Sequence, residues 1–386
     1  MPNVITDFIN KPLLPFNSEG VDFLWEVTSK DTDLIKTRCG GEEFFIQVKS
    51  RTPKFIIKGE KLSRPSQVIF LQRTLMEYAK KAECNILFQN ALPSSNRTEI
   101  KNPIIKEIDF FAQNFIFDKE LFLEIGFGSG RHLLYQAKNN PDKLLIGIEI
   151  HRPSIEQSAK QCDIMGLKNV ILINYDSRIL MEFLRSNSVS KIFIHFPVPW
   201  DKKPHRRVIS PYFTDEALRV LKIGGTLELR TDSEEYCKYA LDIFMQNPQT
   251  DIRILKNFNL EINSKYEDRW KRLKKNIYDI TLTNTKLSSD NSALSRLHFD
   301  FLNNIDKIRQ NFTPKLFRGG NFFVHFEEMY AGYNRVVIKA AFGAYDRAEH
   351  MFIVAEEDKI SYFPNGAYAT AANKAAHEVI KKWLNG

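Results

Sequence analysis

Residues 123–130 read Leu-Glu-Ile-Gly-Phe-Gly-Ser-Gly, an apolar run that passes directly into a glycine-rich turn. Gly126 and Gly128 carry no Cβ, so the chain can turn tightly there and a ligand can lie close against the backbone. Turns of this form, between a strand and a helix, hold nucleotides. The dinucleotide spacing G-x-G-x-x-G would put its third glycine at 131, but Arg131 stands there and Gly130 comes one residue early. Glu124 places a carboxylate two residues before the first glycine. That charge suits the cationic amino group of a methionine moiety and is a poor neighbour for a pyrophosphate. The turn therefore points to S-adenosylmethionine over a nicotinamide dinucleotide.

Two further acids follow the next two apolar runs. Glu149 closes the run 144–150, where a carboxylate can accept hydrogen bonds from both hydroxyls of a ribose; it could equally be a solvent-facing acid at a strand end. Asp176, in Asn-Tyr-Asp-Ser after the run 170–174, is placed to receive an adenine amino group or to cap the helix that follows. After a fourth run come residues 195–207, His-Phe-Pro-Val-Pro-Trp-Asp-Lys-Lys-Pro-His-Arg-Arg. Two prolines around one residue make a stiff loop, and the basic residues behind it suit a polyanion. His195 reads as a packed residue near this site, and His132 as a cap or packing residue behind the glycine turn.

Short apolar runs separated by amphipathic stretches imply a parallel sheet covered on both faces, hence an α/β doubly wound domain. Its strands are expected at 122–126, 144–150, 170–174, 191–196 and 226–230, with a crossover helix at 211–221 stopped by residues 222–225 before the last of these strands. The residues before it alternate like strands at 43–48 and 54–58 and read as a helix at 65–81, with a turn-rich connection at 89–102. Beyond it a helix is expected at 291–310, strands near 322–326 and 336–341, and a terminal helix. The expected division is an α+β extension at 1–103, the α/β core at 104–283 and a second α+β extension at 284–386.

The 386 residues are 43% hydrophobic and 26% charged, a globular balance, and the formal charge is +8. Basic residues gather at 49–64, 202–207 and 269–275, although such runs are more often solvated faces than binding sites. Cys39, Cys84, Cys162 and Cys237 are widely spaced, which suggests neither a disulfide framework nor a zinc site, and the histidines show no ligand spacing, so no metal is expected. No apolar run is long enough to cross a bilayer and no signal peptide is evident, so a cytoplasmic location is expected.

Taken together and in order, these motifs resemble the tRNA (guanine-N7-)-methyltransferase family, whose members act on the variable-loop guanine at position 46. The resemblance spans roughly residues 110–279 and rests on the EIGFGxG turn, the GIE strand end, the FPxPWxK loop with its His and Arg, Thr231-Asp232 after a double glycine, and Ser264-Lys265-Tyr266-Glu267. It implies a class I methyltransferase Rossmann-like sheet, S-adenosylmethionine as methyl donor and tRNA as partner. It also implies that Glu124, Gly126, Gly128, Glu149 and Asp176 hold the donor, while Lys202, Asp232, Ser264 and Glu267 face the RNA.

Two departures stand out. Ser264 and Tyr266 replace the Thr and Phe of the family's T-x-F-E segment, and Val198 replaces an Asp in the family's FPDPW loop. Valine cannot accept a hydrogen bond, so the catalytic assignment stays open, with Asp201 and Asp232 as candidate carboxylates. Guanine N7 presents an in-plane lone pair and no proton, so its methylation needs alignment and electrostatics but no general base. The alternative is an inactive tRNA-binding module that retains the S-adenosylmethionine pocket.

Overall fold

The computed structural model describes residues 2–92, 102–259, 275–300 and 304–385 of the chain. They fall into two compact units, one of residues 101–295 and one combining residues 1–100 with 296–386.

The first unit is built on seven strands: β1 (Leu121–Ile125), β2 (Leu144–Ile148), β3 (Val170–Ile173), β4 (Val189–His195), β5 (Leu221–Thr231), β6 (Thr250–Lys256) and β7 (Tyr278–Asn284). Helices α1 (Arg131–Asn139), α2 (Arg152–Met165), α3 (Ser177–Phe183), α4 (Pro211–Val220) and α5 (Glu234–Phe244) connect them. Across the sheet the order is β6-β7-β5-β4-β1-β2-β3, with the short strand Ile105–Lys106 beyond β3. Strands β1 to β5 pair in parallel, and β7 inserts antiparallel between β5 and β6. This is a class I methyltransferase Rossmann-like sheet.

Every residue of β1 and β3 is buried, as continuous apolar strands covered on both faces must be. Leu133, Leu134 and Ala137 of α1 and Ile155, Ala159 and Cys162 of α2 pack on Phe122, Leu145, Val170 and Leu172 of the sheet. From β1 the chain winds to β2 and β3 on one side and returns to β4 and β5 on the other. Ligands of such sheets bind at that reversal, beyond the carboxyl ends of the strands.

The region 222–225 differs from expectation. It lies inside β5, which starts at Leu221, and the pairing of β4 with β5 slips between Val189 and Lys191 to absorb the extra residues. Ser210 and Ser233 cap α4 and α5 by accepting from Phe213 N and Tyr236 N.

The second unit is a twelve-stranded sheet to which both ends of the chain contribute. Strands Val21–Ser29, Thr32–Cys39, Glu42–Arg51 and Lys54–Gly59 form an antiparallel meander. Strands Phe323–Ala331, Arg335–Ala344, Arg347–Glu356 and Lys359–Phe363 form another, joined to the first where Ala331 pairs with Thr28. Phe45 from the first meander sits edge-on to Phe352 (5.2 Å) and Phe363 (4.9 Å) from the second. Helices Val68–Lys81 and Ala371–Asn385 cover one apolar cluster each.

The helix expected at 291–310 is much shorter: within that stretch only Ile305–Asn311 is helical among the described residues. Tertiary hydrogen bonds outcompete helical periodicity in the preceding segment. Asn291 Oδ1 accepts from Ser186 N and Oγ, and Leu297 N donates to Ala367 O. Most of the turn-rich connection expected at 89–102 lies outside the described residues.

Candidate active site

Glu124 is the fourth residue of β1, and its side chain is buried to 4% exposure. Its Oε2 accepts from His132 Nδ1 at 2.8 Å, and His132 Nε2 lies 3.1 Å from Gln136 Nε2. With Nδ1 protonated, Nε2 is left as the acceptor for the Gln136 amide, so one neutral tautomer satisfies both bonds. Glu124 Oε1 has no hydrogen-bond partner among the described residues. That oxygen can accept a hydrogen bond from a cationic or donor group that enters the site.

The turn beyond it matches. Gly126 has φ +69°, and a Cβ there would meet nothing within 4 Å, so the backbone borders open space. Gly130 instead serves packing: it opens α1 at φ +71°, and a Cβ would run into Ser158 Oγ of α2. The one-residue shift from dinucleotide spacing therefore marks a close contact between helices.

Glu149 follows β2 directly. Its Oε1 accepts from Ile150 N (2.8 Å) and His151 N (3.0 Å), and its Oε2 accepts from Gly128 N (3.0 Å). The carboxylate thus ties the glycine turn to the end of β2 and keeps one lone-pair site on Oε2. As it stands it can take one ribose hydroxyl, where the sequence suggests two. Asp176 caps α3 through Arg178 N (2.9 Å) and also holds the Arg178 guanidinium at 3.0 and 2.6 Å. Capping, one of the two roles open to it from sequence, is its role within the chain, and a site on Oδ2 is left for an amino donor.

The proline loop leaves β4 at the same sheet edge. Phe196 and Trp200 adopt φ of +51° and +46°, a left-handed conformation that costs non-glycine residues on the order of 1–3 kcal/mol each. Phe196 N donates to Arg230 O of β5 at 2.7 Å, fixing the loop's start. Val198 is 61% exposed, and Lys202 and Lys203 are exposed. The Arg206 guanidinium lies 5.1 Å from the centre of the Trp200 ring. Asp232, just past β5, is paired with Lys275 at 2.8 Å; Asp201 lies 3.5 Å from Arg207.

Over 362 residues the chain is 41% identical to the tRNA (guanine-N(7)-)-methyltransferase of Campylobacter jejuni strain 81-176, covering 92% of this chain and 91% of that protein. The chain belongs to this family. Relatives of the same name in Wolinella succinogenes (38% identical) and Helicobacter hepaticus (36%) match 100% and 98% of this chain and as much of their own length. The family model described as "Putative methyltransferase" matches residues 118–280. Similarity to these relatives extends through both terminal segments, where the family motifs alone reach only about 110–279.

Ser264 and Glu267, with most of the basic run 269–275, lie outside the described residues. The roles of three side chains that hold the site together were not read from the sequence. His132 orients Glu124, and Arg230 is fully buried against Asp279. Arg207, counted at first as part of a basic run, is 2% exposed. Arg207 Nε donates to Pro199 O at 2.7 Å, its Nη2 pairs with Glu235 at 2.8 Å, and its guanidinium lies 4.5 Å from the Tyr239 ring. It therefore latches the proline loop to α5.

Arg207→Met keeps much of the packing on Tyr239 and removes the latch. Loss of hydrogen bonds involving a charged group costs about 1.5–3 kcal/mol, so kcat/KM for the RNA substrate is expected to fall roughly 10- to 100-fold. S-adenosylmethionine affinity, measured by calorimetry, should be unchanged. Arg207→Lys should not restore activity, because a point charge cannot stack and bridge two acceptors together. A variant with parental kcat/KM would show that the loop holds its shape without Arg207.

His195 is half-buried, its ring 4.4 Å from that of His132. Burial, with His132 and Arg230 nearby, holds its pKa well below the usual histidine value. The lowered pKa favours the neutral ring.

Proposed function

We propose that this protein transfers the methyl group of S-adenosylmethionine to N7 of a guanine in tRNA, the variable-loop guanine at position 46. The observation that carries the proposal is the near full-length match to relatives of that name. The site geometry supports it. The available oxygen of buried Glu124, the open glycine turn and the remaining acceptor sites of Glu149 and Asp176 lie along the carboxyl ends of three adjacent strands, and together they fit the amino acid, ribose and adenine of the donor.

When bound, S-adenosylmethionine supplies an electrophilic methyl on a sulfonium. Glu124 binds the ammonium group, and Glu149 fixes both the turn and a ribose hydroxyl. The Pro197–Pro199 loop, held by Arg207, lines the neighbouring sheet edge, with Lys202 and Arg206 toward the RNA phosphates. N7 carries no proton, so no side chain needs to remove one before attack. Positive charge passes from sulfur to the base, and Asp232, beyond the adjacent β5, offers a carboxylate in place of the one missing at Val198. Asp232 enters this role already paired with Lys275, and Asp201 with Arg207, so each acts as part of an ion pair.

The test is methyl transfer from labelled S-adenosylmethionine to unmodified tRNA and to tRNA with the variable-loop guanine replaced, followed by nucleoside identification. N7-methylguanosine is expected with the first RNA alone. Equal transfer to both would move the target elsewhere, and binding of both ligands without transfer would refute the proposed activity.

A further inference from the structure

Four cations that have no acidic partner among the described residues lie together in the second unit. The hairpin of Glu42–Arg51 and Lys54–Gly59 sets Gln47 opposite Lys58, Lys49 opposite Ile56 and Arg51 opposite Lys54. Residues directly opposed across an antiparallel pair point to the same face. Lys49, Arg51, Lys54 and Lys58 therefore share one face of the sheet. The adjoining strand Asn3–Thr6 adds Ile5 opposite Ile56, and the edge strand Ile86–Gln89 adds Phe88 opposite Ile5.

The reverse face carries Val4, Ile46, Val48 and Ile57, packed against Leu71 and Leu75 of helix Val68–Lys81. The cationic face is open: Arg51 and Lys54 are exposed, Lys49 and Lys58 partly so, and Phe88 is 53% exposed. Among the described residues no carboxylate lies within ion-pair distance of any of the four. The nearby acid Glu60 is buried and accepts from Leu62 N and Ser63 N. Burial, then repulsion from Lys49, Lys61 and Arg51, lowers the pKa of Lys58 despite Glu60. Gathering like charges on one face destabilises a fold, and a polyanion relieves that repulsion. Residues 49–64 taken as a run favour RNA contact only slightly; the strand register gathers four of their cations into a one-sided patch beside an exposed ring.

We propose that this sheet face is a second docking surface for the tRNA substrate, its four cations contacting backbone phosphates and Phe88 offering a ring on which an unpaired base stacks. The inference rests on the activity proposed above, which brings a polyanion with unstacked bases to this chain. Open sheet faces with cations around an aromatic ring suit single-stranded segments of RNA.

The test uses the full chain carrying K49Q, R51Q, K54Q and K58Q together, with tRNA affinity measured by anisotropy across a salt series. Four lost phosphate contacts make the slope of log affinity against log salt shallower by about 3 and weaken binding at 0.1 M salt roughly 100-fold or more. KM for tRNA rises, while kcat at saturating tRNA and S-adenosylmethionine affinity stay parental, the latter also showing that the variant is folded. F88A weakens tRNA binding about fivefold or more with the salt slope unaltered. A quadruple variant with parental affinity and slope, in a preparation whose parent methylates tRNA, overturns the docking surface alone. A parent that transfers no methyl group to tRNA overturns the underlying activity, and the inference with it.

Discussion

Glu124→Gln is expected to abolish most S-adenosylmethionine binding while leaving the protein folded. The carboxylate is buried in β1 with one oxygen held by His132 and the other available. The substitution keeps the shape of the side chain and removes its charge. Truncating one partner of a buried, hydrogen-bonded charge pair costs about 2–5 kcal/mol, so the Kd should rise roughly 30-fold or more. Calorimetric titration with S-adenosylmethionine and with its demethylated product measures it. Both ligands carry the same ammonium group, so both should weaken alike.

A companion variant separates binding from scaffolding. His132→Phe fills the space beside Phe193 and His195 but leaves Glu124 without its anchor. Its cost should be a bond to a charged group, about 1.5–3 kcal/mol, and smaller than that of Glu124→Gln. Were Glu124 only a partner for His132, Glu124→Gln would lower the melting temperature and leave both Kd values unchanged. That result would remove Glu124 from the donor site.

The parts of this site that were legible in sequence are those where one residue type meets a local backbone demand. The glycine turn is such a case, because Gly126 and Gly128 adopt a positive φ that side chains rarely tolerate and Ser158 leaves no room for a Cβ at Gly130. Strands β1 to β5 were legible because burial on both faces requires continuous apolar runs. The sheet edge beyond β5 was not, since β7 returns antiparallel between β5 and β6 through pairings that no local pattern announces. The joining of both chain ends in one sheet could not be decided from sequence, because its seam is the pairing of Thr28 with Ala331 and the Phe45, Phe352 and Phe363 contacts beside it.

Arg207 misled most: it reads as one of a basic run, yet it is buried because Glu235, 28 residues away, closes on it, and Arg230 at the end of β5 is buried in the same way against Asp279, 49 residues away. Asp176 shows the reverse ambiguity: the residue type that receives an adenine amino group is also the one that caps a helix, and here Arg178 already occupies most of its acceptor sites. Sequence spacing identifies acids at strand ends, and only packing tells how many lone pairs remain.

Arg230→Met should strongly destabilise the first unit. Arg230 is 1% exposed, its Nη1 pairs with Asp279 of β7 and its Nη2 donates to Phe258 O at 2.9 Å. Removing it leaves the Asp279 carboxylate, 18% exposed, without its guanidinium. Breaking a buried pair this way costs about 3–5 kcal/mol. At about 2–4 °C per kcal/mol for a domain of this size, melting should fall on the order of 10 °C. Asp279→Leu added to Arg230→Met should recover more than half of that loss, because replacing both charges with apolar groups of similar volume is nearly neutral. The double variant decides what the pair contributes. Recovery would mean that the pair's role is to avoid an orphaned charge, with β5 and β7 held by their backbone ladder. Failure to recover would mean that the bond to Phe258 O also carries stability, since no leucine at 279 can replace it. In either case the backbone carbonyl of residue 230 still accepts from Phe196 N, so the folded fraction of Arg230→Met should keep its loop anchor and its affinity for S-adenosylmethionine.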